Sequence, residues 1–266
     1  MHLFLSPHLD DAALSCGGTI HHLTSRGEAV TILTIMAGDP PVNPDTPFIR
    51  ELHARWDLPH DAAAQRRAED RAAAAALGAK VIHWAIPDCI YRETGAPLYP
   101  SVEDIFGDVQ PSDAAIAALD AEAVTLLEQF PAVTALYGPL GVGHHVDHLI
   151  VRDWVLGLAA RLSLALALYE EYPYTRDRDA IQRALREMPD DRPLIARVQP
   201  LTAPEVDAKV RAIACYQSQI STFWPDVDAM AHEVRQITCG GAEGCVERYR
   251  DVQHTGENEY DQQSGA

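Results

Sequence analysis

The sequence predicts an α/β protein, with a mainly parallel sheet and helices on both faces in a Rossmann-like arrangement. Short apolar runs that suit buried strands alternate along the chain with longer stretches of helical periodicity. With 266 residues, of which 47% are hydrophobic and 23% charged, the chain can bury the core of a large domain. We therefore expect a single α/β domain over residues 1–225 and a C-terminal extension over residues 226–266 that packs on it or trails from it.

The first strand is predicted over residues 2–6, which are mostly apolar, and the apolar positions of residues 12–20 suit the first turns of a helix. Further strands are predicted over residues 29–35, 80–86, 132–137 and 164–170. Helices are predicted near residues 13–26, 62–78, 112–129, 147–161, 176–187 and 203–219.

The turn after the first strand carries three residues suited to metal chemistry: His8, Asp10 and Asp11. They lie where a strand passes into a helix, at the carboxyl edge of the sheet, where open α/β folds place their ligands. An imidazole nitrogen and a carboxylate oxygen suit zinc, and the second carboxylate remains free to act as a base. Two aspartates after a strand are also typical of a helix N-cap with a solvated neighbour.

A second cluster follows the strand predicted at residues 132–137, where glycines interrupt the pattern and three histidines follow: His144, His145 and His148. Apolar residues then recur with helical spacing, so we expect His148 in the first turn of a helix. Spacing does not choose between His144 and His145 as its partner, because i,i+4 and i,i+3 pairs both share a helix face. The alternative is a set of surface histidines in a chain that has 12.

Together the two segments resemble the PIG-L/LmbE-like family, zinc enzymes that remove acetyl groups from N-acetylglucosamine-containing molecules. The resemblance rests on PHLDD at residues 7–11 and HVDH at residues 145–148, where the family commonly has HPDDE and HPDH. Weaker matches are RRAE at residues 66–69, a Pro-Asp turn at residues 87–88 and YQSQ at residues 216–219. Three residues depart from the family pattern without replacing a ligand or the base: Leu9, Ala12 and Val146.

The resemblance implies an LmbE-type fold and a role for each matching residue. His8, Asp11 and His148 would hold one zinc ion per chain. Asp10 would be the general base that takes a proton from the attacking water.

The remaining matches would act on the substrate. His145 would stabilise the oxyanion and protonate the leaving amine, and Asp147 would hold His145 protonated. Arg66 and Asp88 would bind substrate hydroxyls, although the charged stretch around Arg66 also suits a solvated helix face.

The predicted function is removal of the acetyl group from an N-acetylated amino sugar of the N-acetylglucosamine type, or from a conjugate of one. The alternatives are hydrolysis of another amide and a metal-dependent sugar-binding module without catalysis, although the presence of Asp10 favours catalysis. A signalling receiver module also carries paired aspartates but binds magnesium, whereas imidazoles favour zinc.

The net charge of −18 and the pI near 4.9 argue against nucleic acid and anionic membranes as partners. No run approaches the ~20 apolar residues of a membrane span, and the N-terminal apolar run is too short for a signal peptide. We therefore expect a cytoplasmic protein with a small-molecule substrate, and a homo-oligomer is left open.

Five scattered cysteines argue against a disulfide framework, and we expect Cys239 and Cys245 neither to pair nor to bind a metal. Two irregular stretches, residues 39–47 and 88–107, are long enough to wall a substrate pocket. Residues 39–47 suit a disordered surface excursion equally well.

Overall fold

The computed structural model describes residues 1–40, 46–56, 62–189 and 191–253. Its strands are β1 His2–Ser6, β2 Val30–Thr34, β3 Lys80–His83, β4 Ala135–Pro139, β5 Ala165–Tyr169, β6 Leu194–Pro200 and β7 Val246–Val252. Its α-helices are α1 Asp11–Thr24, α2 Pro47–Arg55, α3 Ala62–Ala76, α4 Val102–Ile105, α5 Ala114–Gln129, α6 Val146–Leu162, α7 Arg178–Arg186, α8 Ala203–Ile213, α9 Gln217–Phe223 and α10 Val227–Cys239. Short 3-10 helices span Cys89–Tyr91 and Tyr174–Arg176.

The seven strands form one sheet in the order β3-β2-β1-β4-β5-β7-β6. Strands β1 to β5 are parallel, whereas β7 is antiparallel to both β5 and β6. Alternate side chains of β1 face opposite layers, because Leu3 and Leu5 pack with α5 and α6 while Phe4 packs with α1, α3 and α8. The predicted mainly parallel sheet with helices on both faces is confirmed.

The chain order reverses between β1 and β4, which are neighbours in the sheet, with β2 and β3 on one side and β5, β7 and β6 on the other. From β1 the chain continues outward to β2 and β3, and it then returns to add β4 and β5 on the other side. A crevice opens at the carboxyl ends of two strands where the order reverses. The loops after β1 and β4 therefore meet at one place.

The predicted helix over residues 203–219 is wrong in one respect, because it is two helices. The helix α8 ends at Ile213 and α9 begins at Gln217, with Tyr216 between them in a non-helical conformation. Tyr216 donates a hydrogen bond from its hydroxyl to Asp70 Oδ1 at 2.6 Å, and this bond holds the break against α3.

The α3–α9 contact also joins two of the weaker family-like segments. The Ser218 hydroxyl donates to Glu69 Oε2 at 2.6 Å, and the Ser218 backbone N–H donates to Glu69 Oε1 at 2.9 Å. These residues are 149 positions apart, so they share a structural role that neither segment indicates alone.

The sequence analysis did not predict β6, β7 or α10. The strand β7 comes from the expected C-terminal extension, yet it lies inside the sheet between β5 and β6. Its sequence, VERYRDV, contains four charged residues, so no apolar run marks it as a strand. None of the described helices is long and apolar enough to cross a membrane.

The expectation that Cys239 and Cys245 stay unpaired is wrong, because they form a disulfide. The helix α10 ends at Cys239, and the chain turns back through a bridge between Gly241 and Gly244 before β7 begins. This reversal brings the two Cα atoms to 3.8 Å. The described free cysteines are Cys16, Cys89 and Cys215.

A buried carboxylate fastens β7 to the helices on one face of the sheet. Glu247 Oε1 accepts hydrogen bonds from the Lys209 ammonium of α8 at 2.7 Å and from the Gly18 N–H of α1 at 2.9 Å. Glu247 Oε2 accepts from the Thr19 N–H at 2.8 Å and from the Thr19 hydroxyl at 2.6 Å. Lys209 is only 4% exposed, so Glu247 is required to balance a buried charge.

Replacing Glu247 by alanine should therefore destabilise the fold strongly. We expect Glu247→Ala to lower the free energy of unfolding by about 3–5 kcal/mol, because it leaves the Lys209 ammonium buried without a counter-charge. Urea denaturation followed by circular dichroism measures the change.

The control is Arg235→Ala, which breaks an exposed ion pair with Asp207 and should cost about 1 kcal/mol or less. A loss at Glu247 no larger than the loss at Arg235 would show that the buried pair does not hold β7 in place.

Candidate active site

Two loops meet at the carboxyl edge of the sheet and bring three histidines together. His8 lies between β1 and α1, and His145 and His148 lie at the start of α6 just after β4. The centroid of the His8 ring is 4.8 Å from that of His145 and 5.3 Å from that of His148. One ring nitrogen from each of the three lies within 4.8 Å of the others, which is close enough to share a metal ion.

The carboxylate of Asp11 lies between two of these rings. Its Oδ2 atom is 3.4 Å from His8 Nδ1 and 3.3 Å from His148 Nε2. Zinc bonds of about 2.0–2.2 Å in a tetrahedron place neighbouring ligand atoms roughly 3.4 Å apart. His148 Nε2 is buried and has no hydrogen-bond partner among the described residues. This donor set fits one divalent cation.

His144 does not belong to this cluster. Its side chain is 38% exposed and its Nε2 is 3.4 Å from Glu187 Oε2, away from the other rings. The backbone of His144 has φ of 58°, which turns the chain just before α6 begins. The structure therefore brings together His145 and His148 from the second segment and leaves His144 outside.

Two of the three histidines, His8 and His148, are each oriented by a carboxylate on the ring nitrogen that faces away from Asp11. His8 Nε2 is 2.9 Å from Asp147 Oδ2, and His148 Nδ1 is 3.2 Å from Glu171 Oε1. A carboxylate on the far nitrogen sets the orientation and tautomer of a metal-binding imidazole. Glu171 itself accepts hydrogen bonds from the backbone N–H groups of residues 140–142.

These carboxylates favour the charged form of His148. Burial by itself lowers the pKa of His148, but the neighbouring carboxylates of Asp11 and Glu171 outweigh burial and raise the pKa to about 9. A cation that binds through Nε2 therefore has to displace a proton, so metal binding is coupled to pH.

The position of Asp147 differs from the expectation that it holds His145 protonated. Its carboxylate contacts His8, the Arg92 guanidinium and the backbone N–H of Cys89. His145 caps α6 with its ring, and Nδ1 accepts a hydrogen bond from the Asp147 backbone N–H at 3.2 Å. Burial, followed by the nearby charge of His8, lowers the pKa of His145 well below its usual value, so the ring is neutral.

Asp10 is buried beside this cluster and directly precedes α1. Burial, followed by the charge of Asp11, raises the pKa of Asp10 to about 7, and the charge of Arg66 opposes the rise. Arg66 Nη2 is 3.6 Å from Asp10 Oδ2, and its guanidinium carbon is 5.0 Å from the centre of the Trp56 ring. Arg66 thus lies at the site, on the buried side of α3.

Asp88 also lies at this edge. Its Oδ2 atom is 3.9 Å from His8 Nε2, and its Oδ1 atom caps the short helix Cys89–Tyr91. Phe106, from the same long loop, packs edge-on against His145 with ring centroids 5.3 Å apart. Residues 88–107 therefore form one wall of the site, whereas most of the other predicted wall, residues 41–45, lies outside the described residues.

Sequence reasoning missed Glu171, Arg92 and Tyr174. The signal for Glu171 was available, because it follows the apolar run of β5 as Asp10 and Asp11 follow that of β1. Nothing local marks Arg92, whose partner Asp147 is 55 residues away. The ring of Tyr174 packs on His148 with centroids 5.8 Å apart.

Comparison with known sequences finds a family match that includes the segments at residues 7–11 and 145–148. A family model described as PIG-L, GlcNAc-PI de-N-acetylase, matches residues 3–159, which include both. The 2'-N-acetylparomamine deacetylase of Niallia circulans is 30% identical over 189 residues, which are 65% of this chain and 66% of that protein. A 1D-myo-inositol 2-acetamido-2-deoxy-alpha-D-glucopyranoside deacetylase of Mycobacterium sp. (strain KMS) is 27% identical over 238 residues, 82% of this chain and 74% of that one.

Solved structures of deacetylases resemble this chain over almost its whole length. The zinc inhibited form of teicoplanin deacetylase Orf2 has a TM-score of 0.80 and 26% identity, covering 97% of this chain and 99% of that one. The A40926 pseudoaglycone deacetylase Dbv21 has a TM-score of 0.76 and 28% identity, covering 97% of this chain and 98% of that one.

The carboxylate behind His148 should tune metal binding. We expect Glu171→Gln to weaken zinc affinity about 10–100-fold, because the amide is a poorer acceptor for the His148 Nδ1–H group. Competition with a chromophoric chelator measures the affinity. Glu170→Gln is the matched control, since Glu170 pairs with Arg250 and not with His148. Equal zinc affinities of the two variants would contradict this role for Glu171.

Proposed function

The chain belongs to the PIG-L family of de-N-acetylases, and from that membership we propose that it is a zinc-dependent hydrolase that removes the acetyl group from an N-acetylated amino sugar. The proposed substrate is of the N-acetylglucosamine type, free or as part of a conjugate. The relatives that support this proposal are described as deacetylases of such sugars.

One observation carries the proposal: Asp11 Oδ2 lies 3.4 Å from His8 Nδ1 and 3.3 Å from His148 Nε2, and the latter atom is buried and forms no hydrogen bond with any described residue. We assign His8, Asp11 and His148 as the ligands of one zinc ion per chain. The competing set replaces Asp11 by His145, but His145 Nδ1 is already an acceptor for the helix α6. Zinc in such a site polarises a carbonyl group and makes a hydroxide-like nucleophile available near neutral pH.

Asp10 is the proposed general base. It is adjacent to the ligand Asp11 but its own carboxylate contacts Arg66, so it remains free to accept a proton from water. A base works best when its pKa lies near the working pH, and the buried position of Asp10 gives it such a value. The proton that Asp10 accepts can then be passed to the leaving amine.

His145 is the proposed oxyanion partner. Because its Nδ1 accepts the Asp147 N–H, a neutral ring carries its proton on Nε2. An N–H donor directed at the developing oxyanion contributes through a hydrogen bond that strengthens in the transition state. We therefore propose that His145 acts as a neutral donor, whereas Asp147 orients His8 together with Arg92.

Arg66 and Asp88 are the proposed contacts to substrate hydroxyls. Arg66 lies beside the base and Asp88 beside the ligand His8, so the two flank the proposed zinc position from α3 and from the loop after β3. A guanidinium donates hydrogen bonds and a carboxylate accepts them, so the pair can bind a sugar hydroxyl as acceptor and another as donor. The cytoplasmic location stays a prediction.

Amine release tests the reaction and its base. We expect the zinc-loaded protein to release free amine from N-acetylglucosamine or from one of a small panel of its conjugates. Asp10→Asn should lower kcat by about 10²–10⁴-fold while one zinc remains bound, because it removes the proton acceptor and no ligand. A fluorogenic amine assay and elemental analysis of zinc measure the two quantities.

The control for that variant is Asp153→Asn, an exposed aspartate of α6 that pairs with Arg152 outside the site. It should leave both kcat and zinc content unchanged. Zinc binding through His148 without any amine release from the panel would reject the sugar deacetylase. It would leave a hydrolase of another amide or a binding module without catalysis.

Replacing His145 distinguishes the two possible ligand sets, one with Asp11 and one with His145. We expect His145→Gln to lower kcat by about 10²–10³-fold with zinc content near one per chain, because it loses an oxyanion donor and no ligand. His148→Gln should instead lose the zinc. If His145→Gln lost zinc as His148→Gln does, the three-histidine set would replace the one with Asp11.

A further inference from the structure

A cleft at the same edge of the sheet has no part in the proposed reaction. It lies between the Tyr174–Arg176 turn with α7 on one side and α10 with the start of β7 on the other, and its volume is about 760 Å³. None of the residues proposed above as ligands, base or substrate contacts lines it. Its size is within the range of about 300–1,000 Å³ that small-molecule sites occupy.

The charge of this cleft is opposite to that of the protein. Its lining includes five cations, namely Arg176, Arg178, Lys209, Arg248 and Arg250, out of 21 lysines and arginines in a chain of net charge −18. Three carboxylates also line it, namely Glu170, Glu233 and Glu247. We call this site the arginine cleft, and its excess of positive charge favours an anionic ligand.

Two of the five cations are committed to the fold. Lys209 forms the buried pair with Glu247, and Arg250 donates two hydrogen bonds to Glu170 Oε1, at 2.7 and 3.0 Å. These two ion pairs lie at the floor of the arginine cleft, and within each pair the positive and negative charges cancel.

The three rim cations are available to a ligand. Arg248 pairs with the exposed Glu243 at 3.0 Å. Arg176 pairs with the half-buried Glu233, donates to the Tyr172 hydroxyl at 3.3 Å and keeps further N–H donors at the rim. Exposed ion pairs contribute little free energy, so an incoming anion can compete for these guanidinium groups. Arg178 has no ion-pair or hydrogen-bonding partner among the described residues.

The arginine cleft adjoins the proposed zinc site. Ser15, which lines the cleft, follows Asp11 by one turn of α1, which is about 6 Å along the helix. The backbone N–H of Tyr172, another lining residue, donates to the Ser15 hydroxyl at 3.3 Å. Two residues later Tyr174 packs on His148. The ligand residue Asp11 and the cleft residue Ser15 thus lie one turn apart on the same helix.

We propose that the arginine cleft binds an anionic group, a carboxylate or a phosphate, through Arg176, Arg178 and Arg248. Guanidinium groups suit such anions because their planar fork can donate two parallel hydrogen bonds. The anion is either a distal part of the substrate or a separate small molecule. The first case rests on the proposed function, whereas the second does not.

Calorimetric titration of the zinc-loaded full chain with inorganic phosphate tests the proposal. We compare the wild type with Arg178→Ala/Arg248→Ala, which removes two rim cations, and with Arg183→Ala/Arg235→Ala. The second pair removes two exposed arginines outside the cleft, so it controls for the change in net charge. The melting temperature of each variant checks that it folds.

We expect phosphate to bind the wild type and the control pair with similar affinity. The cleft variant should bind about tenfold more weakly or worse, because it loses charge-assisted hydrogen bonds. Phosphate that fails to bind the wild type overturns the proposal. Equal affinity in all three proteins also overturns it, since the anion would then bind elsewhere, such as at the zinc site.

Kinetics distinguish the two sources of the anion. If the anion belongs to the substrate, KM for N-acetylglucosamine 6-phosphate should lie below KM for N-acetylglucosamine in the wild type, and the difference should shrink in the cleft variant. If it is a separate molecule, added phosphate should change turnover of N-acetylglucosamine in the wild type and in the control pair but not in the cleft variant. If neither these two sugars nor any conjugate of the panel is hydrolysed, the proposed function fails, and the calorimetric result still decides whether the cleft binds an anion.

Discussion

The adjacency of β1 and β4 is the constraint on which the candidate active site depends. The two strands are neighbours in the parallel sheet, so the loops that leave their carboxyl ends must approach each other. One loop carries His8, Asp10 and Asp11, and the other carries His145 and His148. Chain segments more than 130 residues apart thereby supply one set of candidate ligand atoms. The remaining strands and both helical layers hold these two loops at a fixed distance.

The second requirement is that charged side chains buried in the candidate active site have partners of opposite charge or hydrogen-bonding partners. Moving an unpaired charge out of water is costly, so buried charges occur in networks. Arg92 pairs with Asp147, whose carboxylate also contacts His8. Glu171 is held by backbone N–H groups and contacts His148. The network is therefore both a stability requirement and the means by which the imidazoles are oriented, which is why the site and its supporting carboxylates form one unit.

The same logic explains what sequence reasoning could and could not find in the site. Residues next to each other in the chain, such as Asp10 and Asp11 after β1, are visible as a pattern because the strand that positions them is visible too. Arg92 was missed because its partners come from another part of the chain and no local pattern marks it. The contacts of Asp147 were missed for a related reason: its backbone N–H donates to His145, but its carboxylate contacts His8 and Arg92, which come from distant parts of the chain.

The sequence by itself determined the α/β class, the five parallel strands and the two loops that carry the site, because apolar periodicity and a strand followed by polar residues are local properties. Only the tertiary structure decided that His145 and not His144 joins the cluster, that Asp147 contacts His8, and that β7 is an inner strand. The physical reason is that these choices depend on which distant groups share a buried space. Buried groups must balance their charges and pack closely, and the sequence of one segment does not show which distant groups will meet these two requirements.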